Sequence, residues 1–243
     1  MDYSKFCYKL HTLSFNRINT VNATKAVLDA SISSLSSKTV GIFNQTQLEL
    51  FMVQNSDFNI NWENLSRPLK YPEVGLWASN YLAIKEFMES AYDYLILVED
   101  DIKLEPDFFS KLDLYLEEMP SDIDCFLAYK PENIFYNAGY ELLENEEQYH
   151  TASNIIWIAH QTWSTGCILL NKAGASKIMS YINEGISDPI DLFLFGNQNG
   201  QYSVSSNSRR LNVYSPAKNQ PELAKLELYK TLIQDGDIIS AGL

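Results

Sequence analysis

The chain has 243 residues, 46% of them hydrophobic and 20% charged, with a net charge of −13. That length suits one large α/β domain or two small ones; no linker or repeat divides the chain, so a single domain over residues 1–243 is expected, and the acidic balance counts against a protein that grips a nucleic-acid backbone non-specifically, while leaving room for a local basic groove. No apolar run approaches the ~20 residues of a membrane span and Met1-Asp2-Tyr3 opens no signal peptide, so the expectation is a cytoplasmic protein, with peripheral membrane contact left open.

Three cysteines, Cys7, Cys125 and Cys167, are scattered through apolar segments without metal-type spacing. Buried free thiols in a reducing compartment are expected. Phe6 to Leu10 reads as a first strand. His11 and Arg17 follow it, where polar residues of α/β enzymes often cover a bound nucleotide, and Arg17 suits a phosphate. Either residue would serve equally well as a cap or surface contact. Residues 23 to 30 look helical, with Ala23, Ala26, Val27 and Ala30 on one face. Lys38 to Phe43 reads as a second strand. Residues 44 to 72 show no clear period and read as a loop-rich excursion.

Trp77, Tyr81, Ile84, Met88 and Ala91 recur at steps of four and three, which marks the core face of a helix. Gly75 just before them allows close backbone approach to a neighbour or a ligand, and Ser79 lies in the first turn. The helix feeds the most informative stretch, Tyr94 to Val98 followed by Glu99-Asp100-Asp101. Five apolar residues suit a strand buried on both faces, and the chain leaving its C-terminal end enters the crevice where open α/β sheets bind ligands. Three adjacent carboxylates repel one another unless a cation joins them, and Mn2+ or Mg2+ is the usual partner of hard oxygen ligands, commonly bridging to phosphates. Alternation along an extended segment places Glu99 and Asp101 on one side as the metal pair and Asp100 on the other as a sugar or ribose contact. The competing reading is a solvated acidic turn that caps the next helix.

Pro106-Asp107 announces that helix, with Phe108, Leu112, Leu116 and Met119 inward and Pro120 as its stop. Ile123 to Ala128 completes a β-α-β unit. Residues 129 to 153 read as a mobile loop or lid, whose aromatic rings suit sugar stacking. Ile155 to His160 and Cys167 to Leu170 read as strands. A helix runs from Asn171 through Ile182 and ends at Gly185. Short strands are expected at 201 to 205 and 211 to 214. The late segment from Pro216 to Lys230 carries most of the late positive charge.

Taken in order, four blocks resemble glycosyltransferase family 25, the lipopolysaccharide-biosynthesis and collagen-galactosyltransferase type: Glu73 to Asn80, Tyr94 to Ile102, Thr162 to Lys177, and Pro189-Ile190-Asp191. The resemblance spans about residues 70 to 222. Its departures are Leu76 for a cysteine, Asn80 for a histidine, and Cys167 for an aromatic residue. The resemblance implies a GT-A-type, Rossmann-like nucleotide-binding sandwich, with a mostly parallel central sheet flanked by helices. It implies an inverting, metal-dependent transferase that moves a sugar from a nucleotide sugar, such as a UDP-sugar, to a hydroxyl on a surface glycan or lipopolysaccharide. Glu99 and Asp101 would hold Mn2+ or Mg2+, joined by His160. His11, Arg17, Gly75, Ser79 and Asp100 would contact the donor. Asp191, at the Pro-x-Asp position, or Asp188 would take the acceptor's proton. Two alternatives remain. One is a phage-type transferase acting on a modified nucleobase or protein, which for DNA would show a basic groove of Arg209, Arg210, Lys218 and Lys225 beside the acids. The other is a non-catalytic sugar-nucleotide or glycan-binding module.

Overall fold

The computed structural model describes residues 2–12, 17–65, 67–128, 153, 156–158, 165–195, 210–216, 220 and 223–226. At its centre is β3 (Tyr94–Glu99), the apolar strand expected to lead into the acids. Parallel to it lies β1 (Phe6–His11), in a register that sets His11 opposite Glu99. On its other side runs β7 (Cys167–Asn171), antiparallel. With β2 (Ser33–Ser34), β5 (Cys125–Leu127), β6 (Ile156–Ile158) and β8 (Val213–Pro216), the described strands form a seven-stranded sheet in the order β2-β1-β3-β7-β5-β8-β6. Five of these strands point the same way, and β7 and β6 oppose them. Two further strands, β4 (Ile102–Leu104) and β9 (Ala224–Leu226), pair with each other just beyond the acids.

Helices cover both faces, because successive strand residues point opposite ways and both sets are apolar. Leu95 and Leu97 of β3 pack with α3 (Tyr71–Glu89) and α5 (Lys172–Glu184). Ile96 and Val98 face the other way and pack with α1 (Ile18–Asp29) and α4 (Phe108–Glu117). The α/β sandwich expected from the sequence is the one observed.

In α3 the expected stripe holds for Trp77, Tyr81 and Ile84, all fully buried. Phe87 continues it, while Met88 is 38% exposed and Ala91 lies beyond the helix end. The helix begins earlier than expected, at Tyr71, with Pro72 in its first turn, where a missing N–H does no harm. The Glu73 carboxylate accepts the Lys70 N–H at 2.8 Å. Helix α5 is capped by Asn171, whose side chain accepts the Gly174 N–H at 2.8 Å. It stops at Gly185, whose φ of 116° favours glycine. Gly174 lets the helix touch the sheet, since a Cβ there would lie 2.1 Å from the Asp124 carbonyl oxygen.

Four expectations are corrected. Residues 38 to 43 form no strand, because Val40 gives its N–H to the Ser79 hydroxyl rather than to a neighbouring strand. The excursion after residue 44 contains a helix, α2 (Gln45–Gln54), started by Asn44, whose side chain accepts the Gln47 N–H. The buried face of α1 is Val21, Thr24 and Leu28, not the alanines, and Thr24 donates to the Ile102 carbonyl at 2.7 Å. Asp107 precedes α4 but makes no side-chain cap, pairing with Lys111 at 2.9 Å instead. The expected strand at 201 to 205 and nearly all of the 129 to 153 loop lie outside the described residues.

Candidate active site

The site is assembled where β1 and β3 end side by side. Glu99 closes β3 on the α3 face of the sheet, the side occupied by Leu95 and Leu97. Asp100, the first residue beyond the strand, is 5% exposed. Asp100 and Asp101, expected on opposite sides of the segment, share one partner, since a single Arg17 nitrogen reaches both. Glu99 is fixed from two sides. Its N–H donates to the Gly166 carbonyl at 2.8 Å, and its Oε1 accepts from the Thr165 hydroxyl at 2.6 Å. Both partners lie just before β7, which runs against β3 and so begins where β3 ends. Thr165 is the residue that sequence reasoning passed over, since a threonine ahead of a strand carries no chemical signal of its own.

The charges crowd. Burial pushes the Glu99 carboxyl up to about 7, and the nearby Asp101 charge adds to the effect, with smaller contributions from Asp100 and Asp191. Asp101 is also raised, by burial first, although Arg17 works against the shift. Asp191 is raised by burial as well. It sits in the first turn of α6 (Ile190–Phe195), and its charge reaches Glu99. A folded chain that holds the Glu99 proton more tightly than the unfolded chain draws a stability contribution from it. That contribution is complete below the ordinary pKa near 4.5 and is lost as pH rises through about 7. Glu99→Gln should flatten this decline, so urea unfolding at about pH 5 and about pH 8 should differ less in the variant than in the parent chain. An unchanged difference would mean that Glu99 titrates normally.

Arg17 stands at the start of α1 and ion-pairs with Asp100, lying 3.5 Å from Asp101. The structure thus brings Arg17 to the site but sets it on carboxylates. Asp100, expected to face a sugar or ribose, is instead buried against this guanidinium. His11 is 3% exposed and opposite Glu99. Burial pushes its pKa down to about 4, so the ring is neutral at neutral pH. Asn80 gives its N–H to the Leu76 carbonyl at 3.0 Å, which leaves its oxygen to accept from His11 Nε2 at 3.1 Å. That assignment makes Nδ1 the bare acceptor, and it is one of two buried side-chain polar atoms without a partner among the described residues. Asn80, a departure from the family pattern, therefore orients His11.

Gly75 and Ser79, expected among the donor contacts, are used by the fold. A Cβ on Gly75 would lie 3.1 Å from the Val40 carbonyl and the Ile42 nitrogen. The Ser79 hydroxyl is fully buried between the Val40 N–H and the Gly75 carbonyl, at 2.8 Å from each. Asp188 is 1% exposed, and its Oδ2 accepts from Tyr181 at 3.0 Å, Ser187 at 3.1 Å and Arg210 at 2.8 Å. A carboxylate so occupied is poorly placed to act as a base, and of the two aspartates only Asp191 remains suited to that role. His160 lies outside the described residues.

These groups suit a divalent cation in a limited way. Glu99 and Asp101 are oxygen donors whose mutual repulsion a cation would relieve, and hard ions are commonly held by one or two carboxylates with the ligand's phosphates supplying the rest. Among the described residues no three His, Cys, Asp or Glu side chains converge as a metal cluster.

Fold and site together define an α/β protein with a cluster of acids at the C-terminal end of a central strand, where open α/β sheets commonly bind ligands. Glycosyltransferase family 25 (LPS biosynthesis protein) matches residues 9–194, and the chain belongs to that family. Procollagen galactosyltransferase 2 of Homo sapiens is 25% identical over 130 residues, which are 53% of this chain and 20% of the relative. The Mus musculus protein of the same name matches with the same figures. The match thus spans about a fifth of the length of these curated relatives. Among solved structures, a glycosyltransferase involved in the glycosylation of the major capsid of PBCV-1 shares 10% identity, covering 74% of this chain and 67% of that one, with a TM-score of 0.38. A Drosophila β-1,4-galactosyltransferase 7 complex with manganese, UDP-Gal and xylobiose shares 12% identity over 94% and 73% of the two chains, with a TM-score of 0.35. Likeness at this level is remote, and the family assignment stands on the sequence match.

Proposed function

We propose that the chain is an inverting, metal-dependent glycosyltransferase that moves a sugar from a UDP-sugar to an acceptor hydroxyl on a surface glycan or lipopolysaccharide, working in the cytoplasm. One observation supports the reading: Glu99 and Asp101 lie at the end of one buried strand, the charge of Asp191 on α6 reaches Glu99, and each of the three carboxyls is held above its ordinary protonation range. Structural carboxylates are usually paired and lowered, whereas raised carboxyls in a cleft mark chemistry. A divalent ion held by Glu99 and Asp101 would offset the negative charge that builds on the departing diphosphate. Asp191, kept basic enough by burial to accept a proton, takes it from the attacking acceptor hydroxyl. Thr165 holds the Glu99 rotamer in place while this happens. His11 offers a neutral acceptor that suits an N–H or O–H of the nucleotide.

A nucleic-acid acceptor draws little support from the described residues. Arg210 is turned onto Asp188, and Lys225 pairs with Glu105 at 2.9 Å. Arg209 and Lys218 lie outside the described set. No helix among the described residues is long and apolar enough to cross a membrane.

A thermal-shift screen of UDP-, GDP- and CMP-sugars with and without Mn2+ tests the proposal. A ligand at about a hundred times its Kd stabilises the folded chain by about 2.7 kcal/mol. A UDP-sugar with Mn2+ should therefore raise the melting temperature by several degrees, and Mn2+ alone by less. No shift with any donor would end the proposal, and a shift without turnover would favour a binding module.

A further inference from the structure

The turn that carries Asp191 is held from a distant part of the chain. Arg210, just ahead of β8, donates from Nη1 to Asp188 Oδ2 at 2.8 Å, with the two side chains 17% and 2% exposed. Its guanidinium lies over the rings of Tyr181 and Phe193, at 4.7 and 5.2 Å from their centres. Those two rings stack on each other at 4.2 Å, and Phe193 belongs to α6 itself. The Tyr181 hydroxyl closes the arrangement. Its oxygen accepts the N–H groups of Ser187 at 2.8 Å and Asp188 at 3.0 Å, and its proton goes to Asp188 Oδ2. Trp77 Nε1 donates to the Asp188 carbonyl at 2.8 Å. The polar groups of the turn are thereby engaged three residues before Asp191. The six-residue helix that follows is too short to be stable by itself.

We propose that Arg210 is a positioning residue for the transfer reaction: through Asp188 it fixes the start of α6 and so holds the backbone that carries Asp191 in place. The inference rests on Asp191 being the base. It divides the two neighbouring aspartates by task, with Asp188 as the buried anchor and Asp191 left to react. The choice of arginine follows from the geometry, because a planar guanidinium can stack on two rings and donate to a carboxylate at once, which an ammonium cannot.

The test compares Arg210→Met, Arg210→Lys, Asp191→Asn and the Arg210→Met/Asp191→Asn double variant of the full chain. Three readouts are taken: hydrogen exchange at residues 190–195, affinity for UDP with Mn2+, and UDP release from UDP-galactose. Arg210→Met should raise exchange at 190–195 at least about tenfold while β3 and α3 keep their protection. It should slow UDP release by about thirtyfold or more, with UDP affinity changed by less than about threefold. Arg210→Lys should recover part of both losses. The double variant should be no slower than Asp191→Asn alone, because a positioning residue has nothing left to position. Unchanged exchange at 190–195 in Arg210→Met, or losses that multiply in the double variant, would overturn the proposal. If Arg210→Met loses protection throughout the chain, Arg210→Lys carries the same comparison. Full turnover by Asp191→Asn would instead remove the base assignment, and exchange at 190–195 would then decide alone whether the clamp exists.

Discussion

Glu99→Gln should slow UDP-sugar turnover by at least about a hundredfold, the scale set by removing one group that stabilises charge in a reacting complex. The substitution keeps the size and the bond from Thr165, which reaches Oε1 at 2.6 Å, so the fold should survive. What changes is the charge available to a cation. Affinity for UDP should therefore lose its dependence on Mn2+, and calorimetric titration with and without the ion reads this directly. Asp101→Asn should act in the same direction, although Arg17 lies 3.5 Å from that carboxylate and already offsets part of its charge. Thr165→Val should do less, about tenfold, the cost typical of losing a group that orients a ligand. Equal UDP affinity with and without Mn2+ in the parent chain would remove the metal role, whatever the variants did.

Trp77→Ala should be the most damaging single change to stability. The side chain is fully buried. It packs edge-on against Phe193 at 5.5 Å and obliquely against Tyr181 at 5.7 Å, and its ring N–H holds the Asp188 carbonyl. Truncating a buried tryptophan costs about 3–5 kcal/mol, and leaving a buried carbonyl without its donor adds about 1–3 kcal/mol. Against a total stability of about 5–15 kcal/mol for a typical domain, this is a large share. Trp77→Phe should keep most of the packing and lose mainly the hydrogen bond, about 1–3 kcal/mol. Urea unfolding of both variants separates the two contributions. A loss under about 1 kcal/mol for Trp77→Ala would mean that the pocket closes without it. Because the same indole supports the turn before α6, turnover should fall in both variants even where they remain folded.

Much of the centre was legible before the structure. The apolar run Tyr94–Val98 ending in acids, the helix with Trp77 and Tyr81, the stop at Gly185 and the buried cysteines all follow from local pattern. The elements that escaped lack such a pattern. Helix α2 buries only Leu48 and Phe51 and leaves Leu50 and Val53 exposed, at 58% and 81%, so its apolar residues mark no face. Residues 38 to 43 carry apolar residues, but the backbone of Val40 bonds to the Ser79 side chain, which no local signal reveals. Arg210 and Asp188 are 22 residues apart in sequence, and only the folded chain shows that they touch. The same holds for Thr165 and Glu99. Carboxylates announce themselves by type, whereas the groups that hold them in place are ordinary residues made specific by topology.

The cysteines have a practical consequence. Cys7, Cys125 and Cys167 are all buried and unpaired. Burial raises all three thiols, pushing Cys7 up to about 12. Alkylating reagents attack the thiolate, so the folded chain should be silent toward maleimides near neutral pH. A cysteine introduced at Val53, which is 81% exposed, would then be the single addressable handle. Fluorescent or spin labels could be attached there without first stripping the native sulfurs, and slow reaction of the three native thiols would itself clock the opening of the sheet.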